Sequence, residues 1–315
     1  MNHRTIKEYI QIRKAQGKTG FKLCKLIQHD IISEIVGGCY ELACRMHMVT
    51  PKVIVMIDGG ICSQMHQYLI GQLYAQKGMK VLYDLTWFKV NGMDVDGRYT
   101  RVFELKEMYP DLALETSSQR ERRFYKKFLR HIATNMEIPA IEAKTAPIYI
   151  GAYYIVKDEA LFMDAFDRLY NNGMASINEH LNSNGKHTCA IHVRRGDLAS
   201  GDNPWYGGCS DAYFFKAIET VEKMHPKTKY FFFSDEMEYV ETNLTPHLNV
   251  DYELVRGPHK AYEDLILISQ CDTIVASQGS FGKYASLLNK ESMLIVQKDK
   301  FAQLWLERKK NAIAI

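Results

Sequence analysis

The chain lacks the marks of most specialised protein classes. Its seven cysteines (Cys24, Cys39, Cys44, Cys62, Cys189, Cys209 and Cys271) are an odd, scattered set with no C-x-x-C pair and no Cys/His spacing of a zinc site. That pattern offers neither a disulfide framework nor a cysteine-built metal centre, and reduced thiols are the expectation. No stretch approaches the roughly 18 uninterrupted apolar residues of a membrane span, and the first thirty residues lack the apolar core of a signal peptide. These absences lead to the expectation of a cytoplasmic placement. Charge of one sign is scarce as well: 40 Lys and Arg stand against 37 Asp and Glu, a formal net charge of +3. Overall charge therefore gives no support to a nucleic-acid partner, and any anion site has to be local. Internal repeats and low-complexity tracts are absent too.

What is present is a globular composition, 46% hydrophobic over 315 residues, with room for two domains of ordinary size. The one charge asymmetry is at the start, where residues 1–29 hold seven Lys/Arg and one acid. Apolar residues at Ile6, Tyr9, Ile10, Phe21, Leu23, Leu26 and Ile27 accompany that charge. Such a segment can dock on anionic lipid at the inner face of a membrane, or form a helical subdomain packed on the first Rossmann-like domain. Residues 1–50 are read as a mainly helical extension with turns at Gly17 and Gly37-Gly38.

Beyond it, "VIVMID" at 53–58 reads as a buried strand, "GG" as a turn, "SQMHQYLIGQLYAQKG" as a helix and "KVLYDLTWF" as the next strand. After residue 180 the alternation is cleaner. Strands are predicted at "TCAIHV", "KYFFFS", "DYELV", "DTIVAS" and "SMLIVQ", with helices at 211–224, 237–243, 261–270 and 280–289. Strands alternating with helices imply parallel sheets covered on both faces. The reading is an α/β chain with two Rossmann-like domains, residues 51–175 on the acceptor side and 176–315 on the nucleotide side.

Ligands of open α/β sheets bind at the carboxyl ends of the strands. "RRGD" lies at such an end, as do "SDE" at 234–236 and "SQGSFG" at 277–282. Two arginines and a serine- and glycine-rich loop that offers N–H groups describe a phosphate cradle. Arg194, Arg195, Asp235, Ser277, Ser280 and Phe281 are its candidate residues.

In the same order along the chain, "GG…QM.QY", "IYIGAYYIVKDEALF", "IHVRRGD", "FFFSDE" and "EDLILISQCDTIVASQGSFGKYASLLN" resemble the α-1,2-fucosyltransferases of glycosyltransferase family 11, over about residues 53–297. The resemblance implies a GT-B-like architecture, with two Rossmann-like domains facing a cleft. It also implies GDP-fucose as donor substrate, no cofactor and no obligatory metal, inversion at the fucose anomeric carbon, and an oligosaccharide or lipid-linked glycan acceptor ending in galactose. By resemblance, Arg194 binds the diphosphate, His192 lies beside the nucleotide, Asp264 holds the guanine, and Ser280 and Phe281 touch the phosphates. Gly59 and Gly60 fall in the family's first glycine block. The family's usual "GGLGNQMFQYA" stands here as "GGICSQMHQYL", and "SSFSWWGAWLN" as "GSFGKYASLLN". His66, Lys283 and Tyr284 are thus departures.

An inverting transfer needs a carboxylate to take the acceptor proton. Asp202, Asp197 and Asp58 are the candidates, with Asp202 favoured. Asp197, beside two guanidiniums, would be held ionised and make a poor base. His66 has two open readings, a packed helix residue or an acceptor contact. "DVD" at 94–96 reads as a turn more readily than as a metal site, and "RERRFYKKFLR" at 120–130 as a solvated basic helix face more readily than as a nucleic-acid contact. Two alternatives to a fucosyltransferase stay open: the same fold with another nucleotide-sugar donor, and a non-catalytic nucleotide-sugar or glycan-binding module.

Overall fold

The structure, a computed structural model, describes residues 20–90, 92–93, 97, 100–132, 136–137, 147–151, 154–155, 159–199 and 208–315. The basic residues before position 20, the "DVD" at 94–96 and Asp202 lie outside them. Two compact units are built from interleaved segments. Met1–Ile57, Gln67–Trp87 and Leu114–Lys157 make one, and Asp58–His66, Phe88–Ala113 and Asp158–Ile315 make the other.

The first unit carries strands β1 (Lys52–Met56), β2 (Lys80–Asp84), β3 (Arg130–Ile132), β4 (Met136–Glu137), β5 (Ile148–Ile150) and β6 (Tyr154–Ile155). Four of them form a parallel sheet in the order β2-β1-β5-β3, while β4 and β6 pair separately. Val53, Ile54 and Val55 are fully buried, as the apolar run of a strand covered on both faces requires. The expected strand "KVLYDLTWF" stops at Asp84, and Thr86–Val90 is helical. The buried Asp84 carboxylate accepts from the Thr86 N–H (2.9 Å) and hydroxyl (2.5 Å) and from the Tyr149 hydroxyl (2.8 Å), and so turns the chain. Arg122 (3.5 Å) and Lys126 (3.2 Å), from the basic helix Gln119–Phe128, balance its charge. Two cations of that helix therefore serve the fold, and its Tyr125 is buried.

The helix Gly20–Arg45 runs straight through Gly37-Gly38, where the sequence suggested a turn. Gly37 serves close packing instead: a Cβ there would stand 2.3 Å from the Phe128 carbonyl oxygen. One turn on, Tyr40 packs its ring against Phe124, with centroids 5.2 Å apart.

The second unit carries β7 (Thr188–Val193), β8 (Lys229–Ser234), β9 (Asp251–Leu254), β10 (Thr273–Ala276), β11 (Met293–Val296) and β12 (Ala312–Ala314). The helices Asp211–Met224, Ala261–Ser269 and Phe281–Leu288 fall where the apolar spacing placed them. Met237–Tyr239 continues into a wide turn over Val240–Leu244. All six strands are parallel, in the order β12-β11-β10-β7-β8-β9. The chain thus builds outward from β7 to β9, returns to the other side of β7, and builds outward again. This is the doubly wound order, in which the crevice for a ligand opens where the direction reverses, between the carboxyl ends of β7 and β10. Cys189, Ile191 and Val193 of β7, Tyr230 and Phe232 of β8, and Val275 and Ile295 pack with Phe214, Ala217 and Val221 into one core on a face of this sheet. Among the described residues no helix is long and apolar enough to cross a membrane.

Candidate functional site

At the reversal point, backbone register fixes which groups meet. His192 is level with Ala276 of β10 and with Phe233 of β8, so the residues that come after each strand emerge side by side. The three loops singled out in the sequence do come together. The Arg194 N–H donates to Ser277 Oγ (2.9 Å), the Arg195 N–H to Asp235 Oδ1 (2.9 Å), and the Ser234 hydroxyl to the Val193 carbonyl (2.8 Å).

The two arginines have different surroundings. Arg194 Nη1 lies 2.5 Å from Asp235 Oδ2, a half-buried ion pair. A guanidinium carries five donors in a planar fork, and this bond helps to set the plane of the fork. Burial pushes the Asp235 carboxyl up from its ordinary value, and the Arg194 charge pulls it part of the way back. Arg195 instead lays its guanidinium over the Tyr239 ring, 3.4 Å from the centroid, and bonds Glu236 through Nε (3.1 Å). That is the geometry of a brace.

Gly196 makes the turn possible. Its φ is +29°, and a Cβ there would stand 2.7 Å from Asp235 Oδ2 and 3.3 Å from Arg194 Cζ. Gly196→Ala therefore meets both backbone strain and the ion pair. It is expected to displace Arg194 and lower turnover at least about tenfold, the effect of losing a bond to a charged group. Steady-state kinetics on the folded variant check this, and unchanged turnover would show that the ion pair is dispensable.

His192 is buried, with Nδ1 3.1 Å from Ser277 Oγ and its ring stacked on Phe281 at 5.1 Å. Burial, with Arg194 and then Lys283 adding to it, lowers its pKa from 6.5 to about 3. The ring is neutral at physiological pH and serves as a hydrogen-bonding group, not as a cation. Because the unfolded chain binds this proton from pH 6.5 down and the folded chain only near 3, His192 makes stability fall with acidification across that window. The slope is at most about 1.4 kcal/mol per pH unit. Urea unfolding of wild type and His192→Gln at pH 7, 6 and 5 should give the steeper loss in wild type, and equal slopes would refute it.

The glycine block joins the same unit. Gly59 turns with φ +70°, and Gly60 lies beside the Arg101 side chain. Gln64 ties this block down: its amide donates to the carbonyls of Gly59 (3.0 Å) and Val102 (2.8 Å) and accepts from the N–H groups of Glu104 (2.9 Å) and Leu105 (3.1 Å). Cys62 is hydrogen-bonded with Ser280 and lies in the field of Arg101, while burial pushes its thiol up to about 12. The glycine block and the "SQGSFG" loop are thereby in contact. Asp58, half-buried, opens the block.

The departures from the family pattern also meet. His66 is buried, with Nδ1 2.9 Å from the Tyr284 hydroxyl and its ring 5.2 Å from Phe162. Two positions 218 residues apart, each aromatic and apolar in the family's usual blocks, thus form one buried polar pair, and His66 is a packed residue. Next to Tyr284, Lys283 is buried with its ammonium 5.7 Å from the centre of the Trp305 ring, and burial lowers its pKa.

Asp264 stands on the first turn of the helix Ala261–Ser269, half-buried, with Oδ1 2.9 Å from His259 Nδ1. Asp197 lies in the short helical turn Gly196–Ala199. Sequence reading missed Gln64, Arg101, His259 and Glu179. The periodicity of an apolar face carries no signal for a polar group that works through a distant loop. Among the described residues no group of three or more His, Cys, Asp or Glu is placed to hold a metal ion.

Among solved structures, Arabidopsis thaliana FUT1 in complex with GDP is similar at 14% identity, over 79% of this chain and 70% of that one, with a TM-score of 0.41. The Bradyrhizobium fucosyltransferase NodZ is similar at 15% identity over 76% and 92%, TM-score 0.38. E. coli ADP-heptose LPS heptosyltransferase II is similar at 12% identity over 84% and 90%, TM-score 0.42. Among curated proteins the comparison finds no match. The sequence profile of Glycosyl transferase family 11 matches residues 139–313, more than half of the chain and the whole stretch that carries Arg194, Asp235, Asp264 and Ser280, and the chain accordingly belongs to that family.

Proposed function

We propose that this glycosyltransferase moves L-fucose from GDP-fucose, with inversion, to O2 of a terminal galactose on an oligosaccharide or lipid-linked glycan. The observation that carries the reading is the fixed Arg194 fork at the β7/β10 reversal, held by Asp235 and by Ser277. In such a transfer the acceptor oxygen bonds to the anomeric carbon as the bond from that carbon to the β-phosphate oxygen breaks. The electron pair leaves with GDP, so negative charge grows on the diphosphate. A preorganised guanidinium, with N–H groups at the start of the helix Phe281–Leu288, stabilises that charge without reorganising. Gly59 and Gly60 let backbone approach the same loop through Cys62 and Ser280. Asp264 takes the guanine base, and the neutral His192 ring backs the phosphates. Asp202 accepts the acceptor proton.

Neither a cofactor nor a metal is needed for this chemistry when arginine carries the charge. The reading places the enzyme in the cytoplasm, with residues 1–29 either a helical subdomain packed on the first domain or a contact for anionic lipid. The test is direct: incubate the full chain with GDP-fucose, GDP-mannose, UDP-galactose and ADP-heptose, each with a galactose-terminated acceptor. The expected result is release of GDP from GDP-fucose with a fucosylated product. Turnover with another donor alone would replace the donor assignment, and tight nucleotide binding without turnover would favour a binding module.

A further inference from the structure

A side-chain relay at the start of the helix Ala261–Ser269 has no place in the transfer chemistry itself. His259 is half-buried with both ring nitrogens engaged: Nδ1 is 2.9 Å from Asp264 Oδ1, and Nε2 is 2.5 Å from Glu179 Oε2. Glu179 comes from the segment ahead of β7, 80 residues away in sequence. Gly257 leaves room for the ring, since a Cβ there would stand 2.6 Å from Nε2 and 3.0 Å from Cε1. Other charges near this turn are already paired. Lys260 Nζ bonds Glu107, and Glu104 accepts the Tyr262 N–H at 3.0 Å.

Two carboxylates with one imidazole between them is a defined arrangement. Burial, with Glu179 and Glu263 nearby, pushes the Asp264 carboxyl up, while the His259 bond and charge oppose it. For His259 itself, burial lowers the pKa, but Asp264 and then Glu179 outweigh it and the net shift is upward. A cationic ring donates to both carboxylates at once. Without it, Asp264 would face Glu179 with no donor between them, and protonation or rotation would relieve the repulsion. Either outcome matters for recognition: guanine presents N1–H and a 2-amino group, both donors, and only an ionised, correctly aimed carboxylate accepts from both.

We propose that His259 is a positioning residue for nucleotide recognition, bridging Glu179 and Asp264 so that the Asp264 carboxylate stays an acceptor aimed to select guanine over bases without a 2-amino group. The inference rests on the reading that Asp264 takes the base. Its signature is discrimination between GDP and IDP, whose base lacks that amino group. A merely structural residue would weaken both nucleotides alike.

The experiment is calorimetric titration of the full chain with GDP and IDP. Wild type should prefer GDP by at least about tenfold, the value of a hydrogen bond to a charged group. His259→Leu should lose at least about tenfold more affinity for GDP than for IDP, which has only its N1–H contact to lose, and so bring the ratio close to one. His259→Asn, whose amide reaches the position of Nδ1, should keep most of the preference. Gly257→Ala, which displaces the ring without removing it, should shrink the ratio and stands in if the leucine variant does not fold. Asp264→Asn separates the two levels of the reading. If it abolishes the preference while His259→Leu and Gly257→Ala keep the wild-type ratio, the role of His259 is overturned and the base pocket stands. If Asp264→Asn keeps the preference, or wild type has none, the base-pocket reading fails and this inference with it. Equal losses for GDP and IDP in the His259 variants also overturn it.

Discussion

Arg194→Ala is expected to lower turnover with GDP-fucose by about 10²–10³, the cost of losing one preorganised stabiliser of developing charge. The structure shows why the effect should be large. The guanidinium sits at the carboxyl end of the central strand β7, its backbone is tied to Ser277 and its side chain is paired with Asp235 at 2.5 Å. In the proposed transfer it would therefore meet the breaking bond already oriented. Alanine also removes the guanidinium paired with the Asp235 carboxylate, only 14% exposed, and breaking a largely buried ion pair from one side destabilises the fold. Two further variants separate these effects. Arg194→Lys keeps a charge near Asp235 but not the planar fork, so it should restore most of the melting temperature while turnover stays low. Asp235→Asn keeps the guanidinium and loosens its aim. Turnover of Arg194→Ala within threefold of wild type would remove Arg194 from the phosphate site.

Asp202→Asn should cost about 10²–10⁴ in turnover, the range for removing a positioned general base, while GDP affinity stays near wild type. The base has to stand on the face of the sugar opposite the diphosphate, so it should contribute nothing to nucleotide binding. Asparagine preserves the shape and removes the basicity. The rival carboxylates predict different patterns. Asp197 belongs to the turn that Gly196 makes beneath the Arg194–Asp235 pair, so Asp197→Asn should weaken GDP binding together with turnover. Asp58 opens the glycine block that Gln64 fastens, and Asp58→Asn tests it as base directly. Measuring turnover across pH 5 to 8 and GDP affinity on all three variants decides among them. Wild-type turnover in Asp202→Asn would pass the role to Asp58 or Asp197.

Much of the second unit was legible because its signals are local. "TCAIHV", "KYFFFS" and "SMLIVQ" are apolar runs of strand length, the helices between them repeat at helical spacing, and polar loops after strand ends mark a binding edge. Arg194, Asp235, Ser277 and Ser280 could therefore be placed on loops of one edge from contiguous residues alone. The first unit read less clearly. Its β3 and β5 are three residues each, too short to show a period, and its sheet order takes strands from distant segments. β12 was missed for the same reason.

By itself the sequence determined the α/β alternation, the polar loops that follow the strand ends and the family, because each is written in contiguous residues. Only the tertiary structure decided how those residues divide the work. The strand order β12-β11-β10-β7-β8-β9 put "RRGD" against "SQGS". Gly37 proved to be a packing glycine because Phe128 lies against it. Arg194 was separated from Arg195 because Asp235 waits for one and Tyr239 for the other. His66 found Tyr284, and His259 found Glu179, across 218 and 80 residues. Each outcome depends on which distant side chain arrives within about 3 Å, a separation at which a hydrogen bond or ion pair forms and beyond which it is lost. No local pattern of propensity or polarity encodes such a meeting, so the chemistry of these groups is fixed only once the sheets are assembled.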